Sequence, residues 1–175
     1  MPLAARVGVC RTLREARERV KKVLFVCTAN ICRSPMAQAI FNALAEDEGL
    51  TFRAESAGTA ALEGRPMAEN TRAALEEAGI YPGPHSARQV SEEIIEEAEL
   101  VLAMSPQHAA TLRRLGGEPP RGIHALPEYA DGVVGEGVPD PIGLTMTAHR
   151  SILRQLYEYV ERLLGRLEER ASLPQ

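Results

Sequence analysis

The sequence predicts an α/β fold: a single domain with a central four-stranded parallel sheet, helices on both faces, and a ligand loop after the first strand. Three observations carry this. Short, unbroken apolar runs recur along the chain, the pattern of strands buried on both faces. Helix signals follow those runs, so strands and helices alternate. At 175 residues, 45% apolar and 25% charged, the chain has the size and composition of one ordinary globular domain.

The first run, Val23-Leu24-Phe25-Val26-Cys27, reads as a buried strand. Ser34-Pro35 then offers an N-cap residue and a proline at the first helical position. Met36, Ile40 and Leu44 repeat at i+4, which predicts a helix to about Glu48, stopped by Gly49. Residues 51–55 suit a second strand, and residues 67–78 a helix ended by Gly79. A further helix starts after Ser91 and carries Ile94 and Ile95. Leu100-Val101-Leu102-Ala103-Met104 repeats the buried-strand pattern, and Ser105-Pro106 repeats the helix-start pair. Residues 123–126 form a weak fourth strand. From Tyr129 to Thr145 the chain is rich in glycine and proline and has no period, which predicts a long functional loop. The last helix begins near Thr147, with Ile152, Leu156, Val160, Leu163 and Leu167 as its apolar stripe.

Composition narrows the function. A formal net charge of −4, no tryptophan and 4% aromatic residues argue against a nucleic-acid partner. No stretch has the length of a membrane span, so no membrane partner is expected. Three cysteines are too few for a disulfide scaffold and read as thiols of a reducing, cytoplasmic compartment. The four histidines, His85, His108, His124 and His149, have no metal-ligand spacing, and no second pair joins Cys27 and Cys32. Neither metal nor cofactor is expected. Residues 1–22 carry a charge of +5 and the remainder −9, which marks residues 1–22 as a basic N-terminal extension and 23–175 as the domain. The extension lacks the apolar run and small-residue site of a targeting peptide and is expected to be a solvated helix or tail.

In parallel sheets ligands bind beyond the carboxyl ends of the strands. There the chain reads Cys27-Thr28-Ala29-Asn30-Ile31-Cys32-Arg33-Ser34-Pro35. Cys27 and Arg33 enclose five residues between a buried strand and a helix start. A loop wrapped at a helix start turns backbone N–H groups inward, and the helix dipole adds positive potential, which makes a cradle for a dianion. A thiol held in such a cradle is stabilised as the nucleophilic thiolate. Arg33 adds a planar fork that matches two phosphate oxygens. Ser34 is placed to hydrogen-bond the sulfur, and Asn30 tolerates the left-handed backbone a tight loop needs.

This stretch resembles the signature of the low-molecular-weight protein tyrosine phosphatase family, which includes bacterial protein-arginine phosphatases. Glu55-Ser56-Ala57-Gly58-Thr59 and His85-Ser86-Ala87-Arg88 resemble the family's segments that support the phosphate loop, through Ser56 and His85. Asp140-Pro141 resembles its general acid in a late loop. The resemblance spans residues 23 to the C-terminus, in the family's order. It implies a hydrolase in which Cys27 forms a cysteinyl-phosphate and Arg33 binds phosphate. Asp140 then protonates the leaving group and activates water. Thr28, Ala29, Asn30, Ile31, Cys32, Arg33 and Ser34 would surround inorganic phosphate or another oxyanion. A carboxyl group beside a dianion holds its proton more readily, as an acid catalyst must.

The implied partner is a phosphorylated protein. Ile31 matches the tyrosine-directed members, where arginine-directed ones carry threonine. Ile142-Gly143 after the Asp-Pro pair gives no aromatic wall for a tyrosine ring, and residues 91–112 are closer to the arginine-directed branch. The expected activity is phosphotyrosine hydrolysis, with protein-arginine phosphatase as the alternative. Ala29 stands where the family has glycine. Cys32 has two readings, a small buried apolar residue or a disulfide partner that shields Cys27 from overoxidation. Arsenate reduction with an external thiol is a further alternative, since no cysteine follows Cys32 to relay a disulfide.

Overall fold

The computed structural model describes residues 20–171. Apart from Lys21 and Lys22, the basic N-terminal segment lies almost wholly outside the described residues. Four strands, β1 (Lys21–Cys27), β2 (Phe52–Gly58), β3 (Leu100–Ala103) and β4 (Ile123–Ala125), form one sheet in the order β2-β1-β3-β4. Every pairing is parallel. The helices are α1 (Arg33–Asp47), α2 (Glu69–Glu77), α3 (Glu92–Glu96), α4 (Pro106–Leu115), α5 (Leu126–Asp131) and α6 (Met146–Ala171).

The apolar runs feed two cores because side chains alternate across a strand. Val23, Phe25 and Cys27 face one core with Leu100 and Leu102, against Ile40, Phe41, Leu156, Val160 and Leu163 of α1 and α6. Leu24 and Val26 face the other with Val101 and Ala103, against Ile95 and Leu112 of α3 and α4. Phe25 and Phe41 meet edge to face at 5.9 Å between centroids. The predicted parallel sheet with helices on both faces is therefore the observed one.

Several boundaries moved. Strand β2 runs on through Ser56, Ala57 and Gly58, which pair with Phe25, Val26 and Cys27. Those residues have little intrinsic strand preference, so the partner strand decides. The predicted long loop loses its first residues to α5, which has a proline in its first turn and ends at Gly132 with φ 75°. Helix α1 starts one residue before Ser34, its cap position is Cys32, and no side chain caps it. Ser34 is not the cap because its hydroxyl is committed elsewhere. At the later pair the expectation holds: Ser105 caps α4, accepting from the His108 N–H, with Pro106 in the first turn.

From β1 the chain steps outward to β2, then returns past β1 to β3. The crevice at the carboxyl end of β1 is thus the topological switch point of the sheet. Cys27 is the last residue of β1.

Candidate active site

Residues 28–32 loop from β1 into α1, and their carbonyls fix the geometry. The Cys27, Thr28 and Ala29 carbonyls accept from the N–H groups of Thr59, Ala60 and Leu62, at 2.9, 3.0 and 3.1 Å. The Asn30 carbonyl accepts from His85 Nε2 at 2.7 Å. The Ile31 and Cys32 carbonyls accept from Ala68 and Met36, at 2.9 and 3.0 Å. Six consecutive carbonyls are thereby held outward. In a trans peptide the following N–H points the opposite way, and none of the described peptide bonds is cis. The N–H groups of residues 28–33 accordingly turn inward, beside the uncapped start of α1. That is the donor ring an oxyanion requires.

Polar side chains brace the loop from below. Six polar or charged residues are buried among the described ones: Asn30, Arg33, Ser34, Ser56, Thr71 and His149. Burying such groups is costly unless they are matched, and three of the six, Asn30, Ser34 and Ser56, form one network under the loop. Asn30 has φ 58°, the sole non-glycine positive value among the described residues. Its Nδ2 donates to Ser34 Oγ and Ser56 Oγ, each at 2.9 Å. Its Oδ1 accepts from the Arg88 N–H at 3.0 Å. Ser56 in turn donates to Gln38 Oε1 at 2.6 Å. Gly58 completes the floor, since a Cβ there would lie 2.4 Å from the Thr28 carbonyl.

The Ser34 hydroxyl sits 2.9 Å from Cys27 Sγ and 3.4 Å from the Ala57 carbonyl. It has one proton to give. Against a thiolate it donates to sulfur; against a thiol it can receive from sulfur and donate to Ala57. Cys32 is also buried and reduced. Burial pushes its thiol upward, with Asp140 and Cys27 acting the same way and Thr71 opposing.

Arg33 is almost enclosed. Its guanidinium donates to the Val138 carbonyl at 3.0 Å and to Asp140 Oδ2 at 2.9 Å. Its Nε is buried with no hydrogen-bond partner. Asp140 Oδ1 accepts from the Ile142 N–H at 3.1 Å, so the carboxylate is held by its own turn and by Arg33. Cys27, Ala29, Ile31, Cys32, Arg33, Asp140 and Ile142 line one small cleft. The sequence-predicted residues thus converge, with Ser56 and His85 behind the loop.

The Low molecular weight phosphotyrosine protein phosphatase family model matches residues 22–173. The chain belongs to that family. The protein-arginine-phosphatase of Bacillus subtilis is 35% identical to it over 84% of this chain and 97% of its own length. The structure of a low-molecular-weight protein tyrosine phosphatase from T. tengcongensis superposes with a TM-score of 0.79 at 36% identity, over 83% and 99% of the two chains. A cysteine-to-serine mutant of the YwlE arginine phosphatase, with its active-site serine phosphorylated, gives a TM-score of 0.76 at 34% identity, over 84% and 95%. Members of the family hydrolyse phosphoric monoesters, and these likenesses do not favour arsenate reduction.

Sequence reasoning missed Ser105 and His108 as supports of this site, and it quoted Glu55 and Arg88 without their pairing. Thr28 Oγ1 lies 2.8 Å from His108 Nε2, and His108 Nδ1 lies 2.7 Å from Ser105 Oγ, which ties the loop to α4. Arg88 Nη2 pairs with Glu55 at 2.7 Å, beside the backbone bond to Asn30. The Ser105-x-x-His108 pattern was the one available signal, and it reads first as a helix cap.

Three histidines of the site, His85, His108 and His149, are each pushed below the ordinary value, by burial before any charge. The unfolded chain therefore takes up protons below about pH 6.5 that the folded one refuses, and stability falls as pH drops through that window. Thermal melts between pH 7.5 and 5.5 check this: the midpoint falls on acidification, and a flat or rising midpoint contradicts it.

Proposed function

We propose that the protein hydrolyses phosphotyrosine on proteins, with phosphoarginine as the second reading. The observation that carries the hydrolytic site is the ring of six inward N–H groups set out above, opening on Cys27. The phosphoryl dianion seats in that ring. The Arg33 fork takes two of its oxygens through Nε, which has no other partner, and Nη2. Cys27 Sγ attacks phosphorus in line with the ester oxygen, forming a sulfur–phosphorus bond as the phosphorus–oxygen bond breaks. The Ser34 hydroxyl donates to the sulfur as nucleophile and again as leaving group. As Arg33 turns to phosphate, the Asp140 carboxylate is released from it, takes up a proton from solvent or from the entering phosphate, and passes that proton to the departing oxygen. It then takes a proton from the water that hydrolyses the cysteinyl-phosphate. The similar arginine phosphatase, phosphorylated on its active-site serine in a cysteine-to-serine mutant, supports a phosphorylated nucleophile.

Ile31 and the half-exposed Ile142 are the apolar rim of the cleft, and both suit the face of an aromatic ring. The second reading rests on the arginine phosphatase that this chain matches over 97% of that protein's length. Phosphotyrosine, phosphoarginine and phosphoserine peptides, given to the enzyme with Cys27 reduced, decide between them. Turnover of the tyrosine peptide at the highest kcat/KM is expected; turnover of none refutes the assignment. Its place of action is the cytoplasm, and no helix among the described residues is long and apolar enough to cross a membrane.

Cys32 is read as the protector of Cys27. Peroxide converts the Cys27 thiolate to a sulfenic acid, and the Cys32 thiol condenses with it, releasing water and forming a disulfide. Mild peroxide therefore inactivates the enzyme, and dithiol reductant restores it. Cys32→Ser makes the same loss irreversible; equal recovery in both proteins excludes the protective role.

A further inference from the structure

The sheet order puts β2 and β3 on opposite sides of β1, and the bonds that brace residues 28–32 come almost entirely from one of those sides. Those set out above reach the loop from residues 34–88, within α1 or on the β2 flank. From β3 or α4, among the described residues, one hydrogen bond reaches it: Thr28 Oγ1 to His108 Nε2, at 2.8 Å. His108 is the third residue of α4, and its ring is clamped. Nδ1 lies 2.7 Å from Ser105 Oγ, and the His108 main-chain N–H donates to the same oxygen at 3.2 Å. Each hydroxyl both donates and accepts, so either neutral tautomer keeps both ring bonds. The corner that carries this ring also holds the far end of the loop. The Met104 carbonyl accepts from the Val138 N–H at 2.7 Å, and the Val138 carbonyl accepts from Arg33 Nη1 at 3.0 Å. A Cβ on Gly137 would lie 2.9 Å from Ser105 Cβ, so the two segments are pressed together there. Residues 104–108 thus secure the loop at residue 28 directly and at residue 33 through Val138.

We infer that His108 is a positioning residue for the phosphoryl-transfer transition state, holding Thr28 so that the Thr28 N–H meets the equatorial oxygens. Thr28 is the pivot between two peptides whose carbonyls are both tied toward the β2 flank, to Thr59 and Ala60. Its side chain is exposed, and among the described residues its hydroxyl has no hydrogen-bond partner but His108. Bound phosphate is a tetrahedron that a slackened ring still surrounds. As sulfur attacks, the three remaining oxygens flatten into a plane, and donors aimed at that plane help only if they are held there. Positional errors of about 1 Å cost roughly 10²-fold in catalysis, and slackening one donor of the ring costs part of that. His108 acts through Thr28 and moves no proton in the reaction, so its effect is blind to the leaving group.

The inference rests on the phosphatase reading, and its test keeps the two apart. Gln reaches the position of Nε2 and keeps a bond to Thr28; Asn reaches only the position of Nδ1 and keeps Ser105 alone. His108→Asn is expected to lower kcat about tenfold, equally on phenyl phosphate and 4-nitrophenyl phosphate. Orthovanadate, which takes the five-coordinate shape of the transition state, then inhibits about tenfold less well. Inorganic phosphate still inhibits within about threefold of wild type. Thr28→Val, close in shape but without the hydroxyl, reproduces these losses, and the double variant is no worse than either single one, because both remove the same bond. His108→Gln keeps kcat and vanadate inhibition within about threefold of wild type. The inference is overturned by vanadate and phosphate weakening alike, by Gln and Asn behaving alike, or by losses that multiply in the double variant. Wild-type enzyme inert to both esters sinks the phosphatase reading instead, whatever the variants do.

Discussion

Cys27→Ser is expected to abolish turnover, with kcat lowered about 10⁴-fold or more on any phosphate ester. Serine at this position is a poor nucleophile at neutral pH, and nothing adjacent is placed to take its proton. Ser34 Oγ, 2.9 Å away, is a donor to a thiolate and not a base. The fold should be nearly unaffected, since one buried atom shrinks and its hydrogen bond survives. Inorganic phosphate should bind about as well as before, because its ligands are backbone N–H groups and Arg33. Steady-state hydrolysis, phosphate binding and a thermal melt together separate this from a folding defect. Hydrolysis that persists at the wild-type rate would mean another nucleophile.

Asp140→Asn is the second large effect, and it has two parts of opposite sign. The proton donor is lost, so kcat falls about 10²- to 10³-fold for esters of poorly leaving alcohols and phenols and far less for 4-nitrophenyl phosphate. At the same time the carboxylate that holds Arg33 Nη2 at 2.9 Å is neutralised. Phosphate no longer competes with it for the guanidinium, and inorganic phosphate should inhibit at lower concentration. A series of aryl phosphates graded by leaving-group acidity measures the first part, and phosphate inhibition measures the second. Uniform loss across the series, or weaker phosphate inhibition, would contradict the assignment.

Legibility from sequence followed locality. The loop from Cys27 to Ser34 could be read because strand end, turn and helix start are consecutive, and their residue types already imply an anion cradle. Asp140 is 107 residues from Arg33 and was reached through the family resemblance, not through spacing. The brace formed by Ser56 and His85 was reached the same way. Thr71, His149 and His108 escaped notice because nothing in a single chain marks a polar residue as buried. His149 and Thr71 meet across 78 residues, and Thr28 and His108 across 80. The start of α1 failed for another reason: Ser34 satisfies the local rule for a helix cap, but Cys27 and Asn30 claim its hydroxyl. The late extension of β2 was hidden in Ser56-Ala57-Gly58, where pairing overrules preference.

The outward carbonyls of residues 27–32 separate two properties that most binding sites mix. In the proposed reading, grip on the anion comes from main-chain groups, which every residue except proline supplies equally. The side chains of Ala29 and Ile31 are consequently free to differ without weakening that grip, and Ala29 occupies its position with no positive φ. One loop can thus keep its affinity for phosphate while descendants of the same gene exchange one phosphorylated residue for another at the rim.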